Sequence, residues 1–317
     1  MTELRFDGRV AVVTGAGAGL GASHARLLAS RGAAVVVNDL DANAAAMVTE
    51  TINAGGGRAM ACASDIAVEH GAAEVIGAAV ESFGHIDIVV NNAGVLGSAP
   101  FGETTTEMWD RILAVNLTGS FLVTRAAWPH LADHQYGRII STTSNSGLLG
   151  VAGSSAYSAA KAGIWGLTRS LSIEGIDHGI NVNAVAPMAY TTMSATSKIA
   201  PAAWRSGEGD AWSRRLATEQ VSSVIAWLAH ERCTLNGQIV SAAGGRAARF
   251  AMRLTDGFAI DELTIEDVRD HEDELLADDH GREYRAAFEE GRDLHRRLMS
   301  THGSHAEPTS ELDTSVE

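Results

Sequence analysis

The chain contains 317 residues, of which 45% are hydrophobic and 20% are charged, proportions that are typical of a globular protein. Its formal net charge of −15 argues against a general affinity for nucleic acid. No apolar run is long enough to span a bilayer, and the N-terminal residues lack the pattern of a secretory signal. The two cysteines, Cys62 and Cys233, lie far apart in apolar surroundings, so we expect a cytoplasmic protein with reduced thiols.

The negative charge is concentrated towards the C-terminus. Residues 255–317 contain 19 acids and 6 bases, whereas the residues before them are nearly neutral in sum. Almost all basic residues are arginines, since Lys161 and Lys198 are the only lysines among the 24 lysine and arginine residues. An ammonium differs from a guanidinium in geometry and pKa, so a lysine in an arginine-rich chain marks a position of interest.

Short apolar runs alternate with longer helix-like stretches. The predicted strands are Val10–Thr14, Ala34–Asn38, Arg58–Ala63, Ile86–Asn91, Arg138–Thr142, Asn181–Ala184 and Gln238–Ser241. The predicted helices lie near residues 20–31, 41–54, 68–83, 105–132, 155–177 and 218–230. The strand centres are apolar without polar alternation, as expected of strands that are buried on both faces. This alternation predicts an α/β fold, a Rossmann-type doubly wound parallel sheet of about seven strands.

The strand pattern stops after Gly244-Gly245, and this sets the predicted domain boundaries. We expect a Rossmann-type domain over residues 1–245, a C-terminal helical extension of one or two amphipathic helices over 246–299, and a polar, disordered tail over 300–317. Residues 194–217 show no clear period, and we predict a mobile loop there that could serve as a substrate lid.

A glycine-rich loop, TGAGAGLG, follows the first predicted strand and opens the first helix. Its glycines permit a tight turn and let the backbone approach a pyrophosphate, whose charge then lies at the helix N-terminus. Such a loop alone also fits a plain turn, but the strand before it and the helix after it favour a dinucleotide site. The predicted contact residues are Gly15, Ala18, Gly19, Leu20 and Gly21.

Asp39 closes the second predicted strand, eighteen residues after Gly21. A carboxylate at this point accepts hydrogen bonds from ribose hydroxyls and repels a 2′-phosphate, and the glycine-rich loop contains no basic residue to offset it. We therefore expect NAD, not NADP, as the cofactor, with Asp41 as the competitor for this role. At the end of the third strand, Asp65 and Ile66 are predicted to lie beside the adenine.

Tyr157 and Lys161 lie four residues apart at the start of a predicted helix, so that their side chains share one face. A nearby cation favours the phenolate and lowers the pKa of a phenol, which suits the tyrosine to take a proton from an alcohol. A Tyr-x-x-x-Lys pair is common on helix surfaces, so the spacing alone proves little.

The end of the fifth predicted strand supplies hydroxyl side chains that are further candidates for the same site. Ser144 lies thirteen residues before Tyr157, at a strand end that borders the ligand crevice of an open parallel sheet. Its hydroxyl is a candidate to bind the substrate oxygen. The rival hydroxyls, whose alternative role is turn or cap chemistry, are Ser141, Thr142, Thr143 and Ser146.

Residues 7–245 resemble the short-chain dehydrogenase/reductase family, in which several motifs match in order and spacing. These are Thr14-Gly15-x-x-x-Gly19-x-Gly21, Asn91-Asn92-Ala93-Gly94, Asn116, Ser144 and Tyr157-x-x-x-Lys161. The resemblance implies that Tyr157 is the general acid/base, that Lys161 also binds the nicotinamide ribose, and that Ser144 orients the substrate. It further implies that Asn116 anchors a water for proton relay.

The same resemblance assigns further cofactor contacts. Asn91, Ala93, Gly94 and Val115 would line the adenosine ribose side. The family commonly has Pro-Gly after the sixth strand, whereas this chain has Pro187-Met188. Pro187, with Thr191 and Thr192, is still expected at the nicotinamide, but Met188 alters the pocket wall.

Within the family, several stretches resemble the dehydrogenase unit of peroxisomal multifunctional enzyme type 2, which also carries a helical extension. This implies a 3-hydroxyacyl-CoA or a 17β-hydroxysteroid as substrate. Arg246, Arg249 and Arg253 have the spacing of one helical face, which could hold the phosphates of CoA, although a solvated face or pairing with acids is more common.

Other functions stay open at this point. The alternatives are a dehydrogenase of terpenoid or other small cyclic alcohols and, in another class, a non-catalytic NAD-sensing regulatory protein. The twelve histidines show no metal-site spacing, so we expect no metal. We expect a small-molecule substrate, no nucleic-acid or membrane partner, and a homodimer or homotetramer.

Overall fold

The computed structural model describes residues 3–191, 215–277 and 281–301. The chain divides into two compact units, Met1–Phe250 and Ala251–Glu317. The boundary falls at Phe250, five residues after the predicted one. Among the described helices, none is long and apolar enough to cross a membrane.

The first unit is built on one eight-stranded sheet with the order β3-β2-β1-β4-β5-β6-β7-β8. Its strands are β1 Val10–Val13, β2 Ala34–Asn38, β3 Arg58–Cys62, β4 Ile88–Asn91, β5 Gly137–Thr142, β6 Ile180–Met188, β7 Ile239–Ala243 and β8 Arg246–Phe250. All neighbouring pairs from β3 to β7 are parallel, and β8 pairs antiparallel with β7. The doubly wound parallel fold and its seven predicted strands are confirmed.

Helices cover this sheet. In the described part of the first unit they are α1 Gly19–Ser30, α2 Ala42–Ala54, α3 Glu69–Phe83, α4 Thr106–Leu113, α5 Gly119–Asp133, α6 Ser146–Leu149, α7 Ser155–Glu174 and α8 Thr218–Ala229. The helix predicted near residues 105–132 is present, but a π-helical turn at Ala114–Thr118 lies between α4 and α5. Such turns are frequent at functional sites.

The central strands are buried on both faces, which explains their continuous apolar sequence. Ala11 and Val13 lie in one core cluster beneath α1 and α8, whereas Val10 and Val12 lie in a second cluster beneath α3 and α5. Successive side chains of a strand point to opposite faces, so four consecutive apolar residues of β1 serve two cores. The sheet therefore forms the middle of three layers.

The sixth strand is longer than predicted, because it includes Ala186-Pro187-Met188. Its register explains how a proline is tolerated there. β6 pairs with β5 only as far as Val185, and beyond that point with β7 alone, where Pro187 lies opposite Ala242. The missing N–H of Pro187 thus falls where the strand has one neighbour.

The eighth strand corrects the prediction of a helix from Arg246. Gly244 and Gly245 both adopt positive φ angles, 56° and 82°, and reverse the chain into β8. Arg246 and Arg249 therefore lie on opposite faces of a strand, and Arg253 belongs to the second unit. The proposed single arginine face for CoA is wrong.

The second unit contains three described helices, α9 Ile265–Asp270, α10 Glu272–Leu276 and α11 Ala287–Thr301, instead of one or two. Asp293 of α11 lies at the centre of a cluster of polar side chains in this unit, and its own side chain is only 7% exposed. It accepts hydrogen bonds from Arg282 (2.8 Å), Tyr284 (2.7 Å) and Arg297 (3.0 Å). The predicted tail lies, after residue 301, outside the described residues.

A buried polar network joins α1 to α8 within the first unit. The Ser222 hydroxyl donates to the carbonyl of Thr218 and lies 2.8 Å from Nδ1 of His24 and 2.7 Å from Oγ of Ser23. His24 is 1% exposed, and burial lowers the pKa of its imidazole from 6.5 to about 3. The ring is therefore neutral in the folded protein at any pH above this value.

This network predicts a pH-dependent stability. Between about pH 6.5 and pH 3 the unfolded chain binds a proton at His24 that the folded chain does not, so stability falls as the pH falls. From pH 6.5 to pH 5 we expect His24 to account for a loss of about 2 kcal/mol. Urea unfolding at several pH values should show this slope in the wild type and its reduction in His24→Asn.

The exposed His70 of α3 supplies the matched control. His70→Asn should keep the pH slope of the wild type, because that side chain stays in water. An equal slope in His24→Asn and the wild type would contradict the assignment.

Candidate active site

Those predicted site residues that the structure describes lie towards the carboxyl end of the sheet, where β1 and β4 are neighbours. There the strand order reverses, since β1 is flanked by β2 on one side and by β4 on the other. Loops that leave neighbouring strands in opposite directions open a crevice at such a point. The crevice is the place where an open α/β sheet binds its ligand.

The glycine-rich loop connects β1 to α1 and packs tightly. Gly15 has φ 61°, and a Cβ there would lie 2.7 Å from Cα of Ala93, which follows β4. A Cβ on Gly21 would lie 2.2 Å from the carbonyl oxygen of Gly15. Ala18 is the N-cap of α1 and supplies no side-chain cap, and Gly19 and Leu20 form its first turn. The loop thus requires glycine for close packing as well as for backbone conformation.

Thr14 and Asn92 hold this loop against β4. The Thr14 hydroxyl accepts hydrogen bonds from the N–H groups of Asn92 (3.0 Å) and Ala93 (3.1 Å). The Asn92 side chain donates to the carbonyls of Thr14 (2.9 Å) and Gly15 (3.1 Å). Both residues belong to the motifs that carry the family resemblance, and their role in holding the loop depends on contacts that the motifs alone did not predict.

Asp39 lies at the end of β2 against the loop. Its Oδ2 accepts a hydrogen bond from the N–H of Gly17 (2.9 Å), and its Oδ1 accepts one from the N–H of Asp41 (3.0 Å). Asp41 has a different task, because its carboxylate caps α2 by accepting from the N–H groups of Asn43 and Ala44. Of the two candidate acids, Asp39 is the one beside the glycine-rich loop.

The residues predicted as cofactor contacts at the ends of β3 and β4 differ in their exposure. Asp65 is exposed, and its carboxylate accepts from the N–H of Ala67 (2.9 Å), whereas the side chain of Ile66 is buried in the core. Asn91 is also buried, and its amide donates to the hydroxyls of Thr124 (2.8 Å) and Ser141 (3.3 Å). The side chains of Ile66 and Asn91 therefore make their contacts in the protein interior.

The π-helical turn places Asn116 beside Gly94, and Val115 of the same turn is half-buried. Asn116 is fully buried, and its Nδ2 donates to the carbonyls of Val95 and Ile112, each at 2.9 Å. Its Oδ1 has no hydrogen-bond partner in the described chain. A Cβ on Gly94 would lie 2.7 Å from this oxygen and 3.7 Å from Nζ of Lys161. Gly94 thus leaves the space that separates the two side chains.

Among the five hydroxyls at the end of β5 and directly after it, the structure singles out Ser144. Ser141 accepts from Asn91, and Thr143 is buried and donates to the carbonyl of Lys161 (2.6 Å). Ser146 donates its hydroxyl proton to Oγ of Ser144 (2.9 Å). Ser144 is half-buried and hydrogen-bonded to the Tyr157 side chain.

Tyr157 and Lys161 are brought together at the start of α7. The ammonium of Lys161 lies 5.6 Å from the centre of the Tyr157 ring and donates to the carbonyl of Thr142 (2.8 Å). Burial lowers the pKa of Lys161 from 10.5 to about 8. Burial also raises the pKa of Tyr157, which the hydrogen bond with Ser144 offsets in part. This direction is opposite to the predicted one, because the loss of hydration outweighs the effect of Ser144 on the pKa of Tyr157.

The loop after β6 completes the crevice. Pro187 is half-buried within β6, and Thr191 lies against the glycine-rich loop, with Cγ2 3.6 Å from the position of a Cβ on Gly19. Thr192 lies outside the described residues, as do residues 194–214 of the predicted lid. Thr191 therefore lies beside the glycine-rich loop at Gly19, whereas Asp39 contacts that loop at Gly17.

These residues fit a nicotinamide dinucleotide. No side chain caps the N-terminus of α1, the glycine-rich loop leaves room for no Cβ at Gly15 or Gly21, and a carboxylate stands at the end of β2. At the other end, Asn116 aims a buried, unpartnered oxygen at the Gly94 backbone beside Lys161. A group that carries phosphates, ribose hydroxyls and a carboxamide would find hydrogen-bond partners between these two ends of the crevice. Among the described residues, no cluster could hold a metal ion.

Comparison with known proteins identifies the family. The profile of the family described as short chain dehydrogenase matches residues 9–202. Peroxisomal multifunctional enzyme type 2 of Drosophila melanogaster is 40% identical over 282 residues, which cover 84% of this chain and 45% of that enzyme. The full-length structure of that enzyme superposes with a TM-score of 0.78 at 34% identity, over 94% of this chain and 50% of that one. This chain thus spans less than half of the length of that relative's sequence.

Two relatives of similar length resemble it as well. A short chain dehydrogenase from Mycobacterium avium superposes with a TM-score of 0.73 at 35% identity, over 87% of this chain and 96% of that one. The cis-4-hydroxycyclohexanecarboxylate dehydrogenase of Sinomonas cyclohexanicum is 38% identical over 245 residues, which cover 77% of this chain and 98% of that enzyme. With the glycine-rich loop, Ser144, Tyr157 and Lys161 in place, the chain belongs to the short-chain dehydrogenase/reductase family and is an oxidoreductase.

Proposed function

We propose that this protein interconverts a secondary alcohol and its ketone with NAD, and that Tyr157 is the general acid/base. The observation that carries the proposal is the meeting of Ser144, Tyr157 and Lys161 at the carboxyl end of the sheet, beside a dinucleotide-type loop. When bound, nicotinamide accepts or donates the hydride. The side chains of the protein need only hold the alcohol and move its proton.

The proton moves at the phenol oxygen of Tyr157. In the direction of oxidation this oxygen takes the alcohol proton, and in reduction it returns it. Ser144 holds the substrate oxygen, and its hydrogen bond with Tyr157 favours the charged form of the phenol. Asn116 is suited to hold a water with its unpartnered Oδ1, which would pass the proton onwards.

Lys161 sets the charge beside the phenol. With a pKa of about 8, it is largely an ammonium at neutral pH, and it is held by the carbonyl of Thr142. The raised pKa of Tyr157 keeps the phenol protonated at neutral pH. Oxidation, which needs the deprotonated oxygen, is therefore favoured as the pH rises, whereas reduction is favoured as it falls.

The cofactor preference rests on Asp39. Its carboxylate is held beside the loop by the N–H of Gly17, at the position expected for the adenosine ribose. It would accept hydrogen bonds from two ribose hydroxyls and would repel a 2′-phosphate. This supports NAD over NADP.

The substrate class that we favour is a 3-hydroxyacyl-CoA or a 17β-hydroxysteroid. Support comes from the identity of 40% to the Drosophila multifunctional enzyme and from a structural match that covers 94% of this chain. A second candidate is a small cyclic alcohol, such as a terpenoid alcohol. The 38% identity to a dehydrogenase of a hydroxycyclohexane carboxylate favours it, because that relative matches over 98% of its own length.

Assembly and location stay predictions. We propose a homodimer or homotetramer that pairs through α5 and α7, where Phe121 and Ile173 are large exposed apolar residues. We also propose that the protein works in the cytoplasm.

The general acid/base is tested by Tyr157→Phe. We expect it to lower the rate of NADH formation by about 10²–10⁴-fold or more, because the transferred proton loses its acceptor. The assay offers 3-hydroxyacyl-CoA, 17β-hydroxysteroid and monocyclic terpenol substrates and follows the absorbance of NADH. With the best substrate, oxidation should rise and reduction should fall with pH.

Tyr136→Phe is the matched control, because Tyr136 precedes β5 at the opposite end of the sheet. It should keep the activity of the wild type. Full activity in Tyr157→Phe would contradict the assigned role, and no oxidation of any alcohol on the panel would contradict the proposed function.

The cofactor preference is tested by Asp39→Ala. Loss of the carboxylate should lower kcat/KM for NAD and raise it for NADP, so that their ratio falls by about tenfold or more. Asp41→Ala is the control; it removes the cap of α2 and should lower stability without changing this ratio. If Asp41→Ala changed the ratio and Asp39→Ala did not, the assignment would be reversed.

A further inference from the structure

A cavity of about 310 Å³ lies at the amino end of the sheet. Its walls are formed mainly by the N-terminal segment, residues 3–9, and by the loop of residues 230–232 that follows α8. Arg9 directly precedes β1, whereas Ser144 follows β5, so this cavity and the candidate active site lie towards opposite ends of the parallel strands. Its volume is at the lower end of the range of small-molecule sites.

His230 offers one free hydrogen-bond donor to this cavity. The residue is only 4% exposed, and its ring contacts Phe6 edge-on and stacks with Trp227, at centroid distances of 5.3 Å and 6.5 Å. Its Nδ1 accepts a hydrogen bond from the N–H of Arg232 (3.1 Å), so the neutral ring carries its proton on Nε2. Nε2 has no hydrogen-bond partner among the described residues. Because the ring lines the cavity, Nε2 is the polar atom that it can offer to a ligand.

The acids of the cavity wall are already paired with arginines. The three ion pairs are Glu3 with Arg31 (3.1 Å), Asp7 with Arg5 (2.7 Å) and Glu231 with Arg9 (3.0 Å). Arg232, in contrast, is exposed and forms no ion pair with a described residue. The two groups that remain free in the wall, the His230 ring and the Arg232 guanidinium, are therefore both donors.

A buried arginine adds positive charge beside the cavity. Arg138 is 7% exposed, and its guanidinium donates to the carbonyls of Gly137 (2.8 Å) and Glu231 (3.4 Å). It forms no ion pair with a described carboxylate, and its Nε has no hydrogen-bond partner in the described chain. A buried cation without a counter-ion of its own is unfavourable, and an anion near it would lower that cost.

We propose that this cavity binds an oxyanion, the phosphate or carboxylate group of a small molecule. Nε2–H of His230 donates to one oxygen of the anion, and the guanidinium of Arg232 donates to another. The contacts with Phe6 and Trp227 fix the imidazole before the ligand binds, so little conformational entropy is lost at this donor. A cationic ligand would instead have to displace an arginine from one of the three ion pairs. The site does not depend on the proposed function, because neither Ser144 nor Tyr157 lines it.

The test measures anion binding to the full chain without turnover. Inorganic phosphate, glycerol 3-phosphate and succinate are titrated at constant ionic strength into isotope-labelled protein, and the histidine ring signals are followed by NMR. The signal of His230 is identified by its loss in His230→Asn. We expect a saturable shift of its Nε2 signal, and the probe that binds most tightly identifies the group as a phosphate or a carboxylate.

Two variants test the two donors. His230→Asn keeps an acceptor for the N–H of Arg232 but loses the Nε2 donor, whereas Arg232→Gln loses the charge of the guanidinium. From the backbone amide signals of residues 230–232, we expect His230→Asn to raise Kd by about tenfold. Arg232→Gln should raise it by about threefold, because an exposed charge contributes less. Arg292→Gln is the matched control, since Arg292 is exposed on α11 and does not line the cavity.

The outcomes separate this cavity from the glycine-rich loop, where an anion could also bind. A raised Kd in both variants, with an unchanged Kd in Arg292→Gln, supports the site. Saturable shifts that are confined to the amides of the glycine-rich loop would overturn it, as would an unchanged Kd in both variants. If His230→Asn does not fold, Arg232→Gln decides alone, because its side chain is exposed. Since binding is measured directly, a protein that oxidises no alcohol would refute the proposed function and leave this result intact.

Discussion

The geometry of the site depends on a reciprocal clamp between Lys161 and the end of β5. The ammonium of Lys161 donates to the carbonyl of Thr142, and the hydroxyl of Thr143 donates to the carbonyl of Lys161. These bonds seat the first turns of α7 on the strand that delivers Ser144. Because Tyr157 lies one helical turn earlier, the same clamp brings its phenol to the Ser144 hydroxyl.

The clamp has an electrostatic cost. A pKa of about 8 instead of 10.5 means that the buried ammonium is less favourable than in water by about 3 kcal/mol. The cost is present below pH 8 and disappears as the pH rises from about 8 to 10.5, where the unfolded chain still binds the proton. A residue chosen for stability alone would not be charged here, so this position is consistent with a functional demand for a cation.

The dinucleotide end of the crevice is built by close packing. Thr14 and Asn92 pair the ends of β1 and β4, and Gly15 allows Ala93 to approach to a distance that a side chain would block. The loops after these two strands are thereby held together, and Asp39 and Thr191 lie beside the glycine-rich loop at Gly17 and Gly19. Rigid loops of this kind fix a ligand without a large cost in conformational entropy on binding.

Much of the fold and of the candidate site could be predicted from the sequence, because the patterns that predict them are local. Strand runs, the glycine-rich loop, and the spacing from Ser144 to Tyr157 and Lys161 depend on nearby residues, and they predicted the parallel sheet, the family and the candidate residues. The choice between Asp39 and Asp41, and the choice among the hydroxyls at the end of β5 and directly after it, depended on hydrogen bonds between residues that are distant in the chain, such as those from Gly17 to Asp39 and from Thr143 to Lys161.

Only the tertiary structure decided the remaining features. The turn at Gly244-Gly245 makes a strand of a segment whose arginine spacing suggested a helix, since pairing with β7 outweighs local periodicity. The direction of the Tyr157 pKa shift likewise depends on burial, which is a sum over many distant atoms. Sequence alone thus predicted which groups are candidates for the chemistry, whereas the fold decided their partners and hydration, because both arise from contacts between segments far apart along the chain.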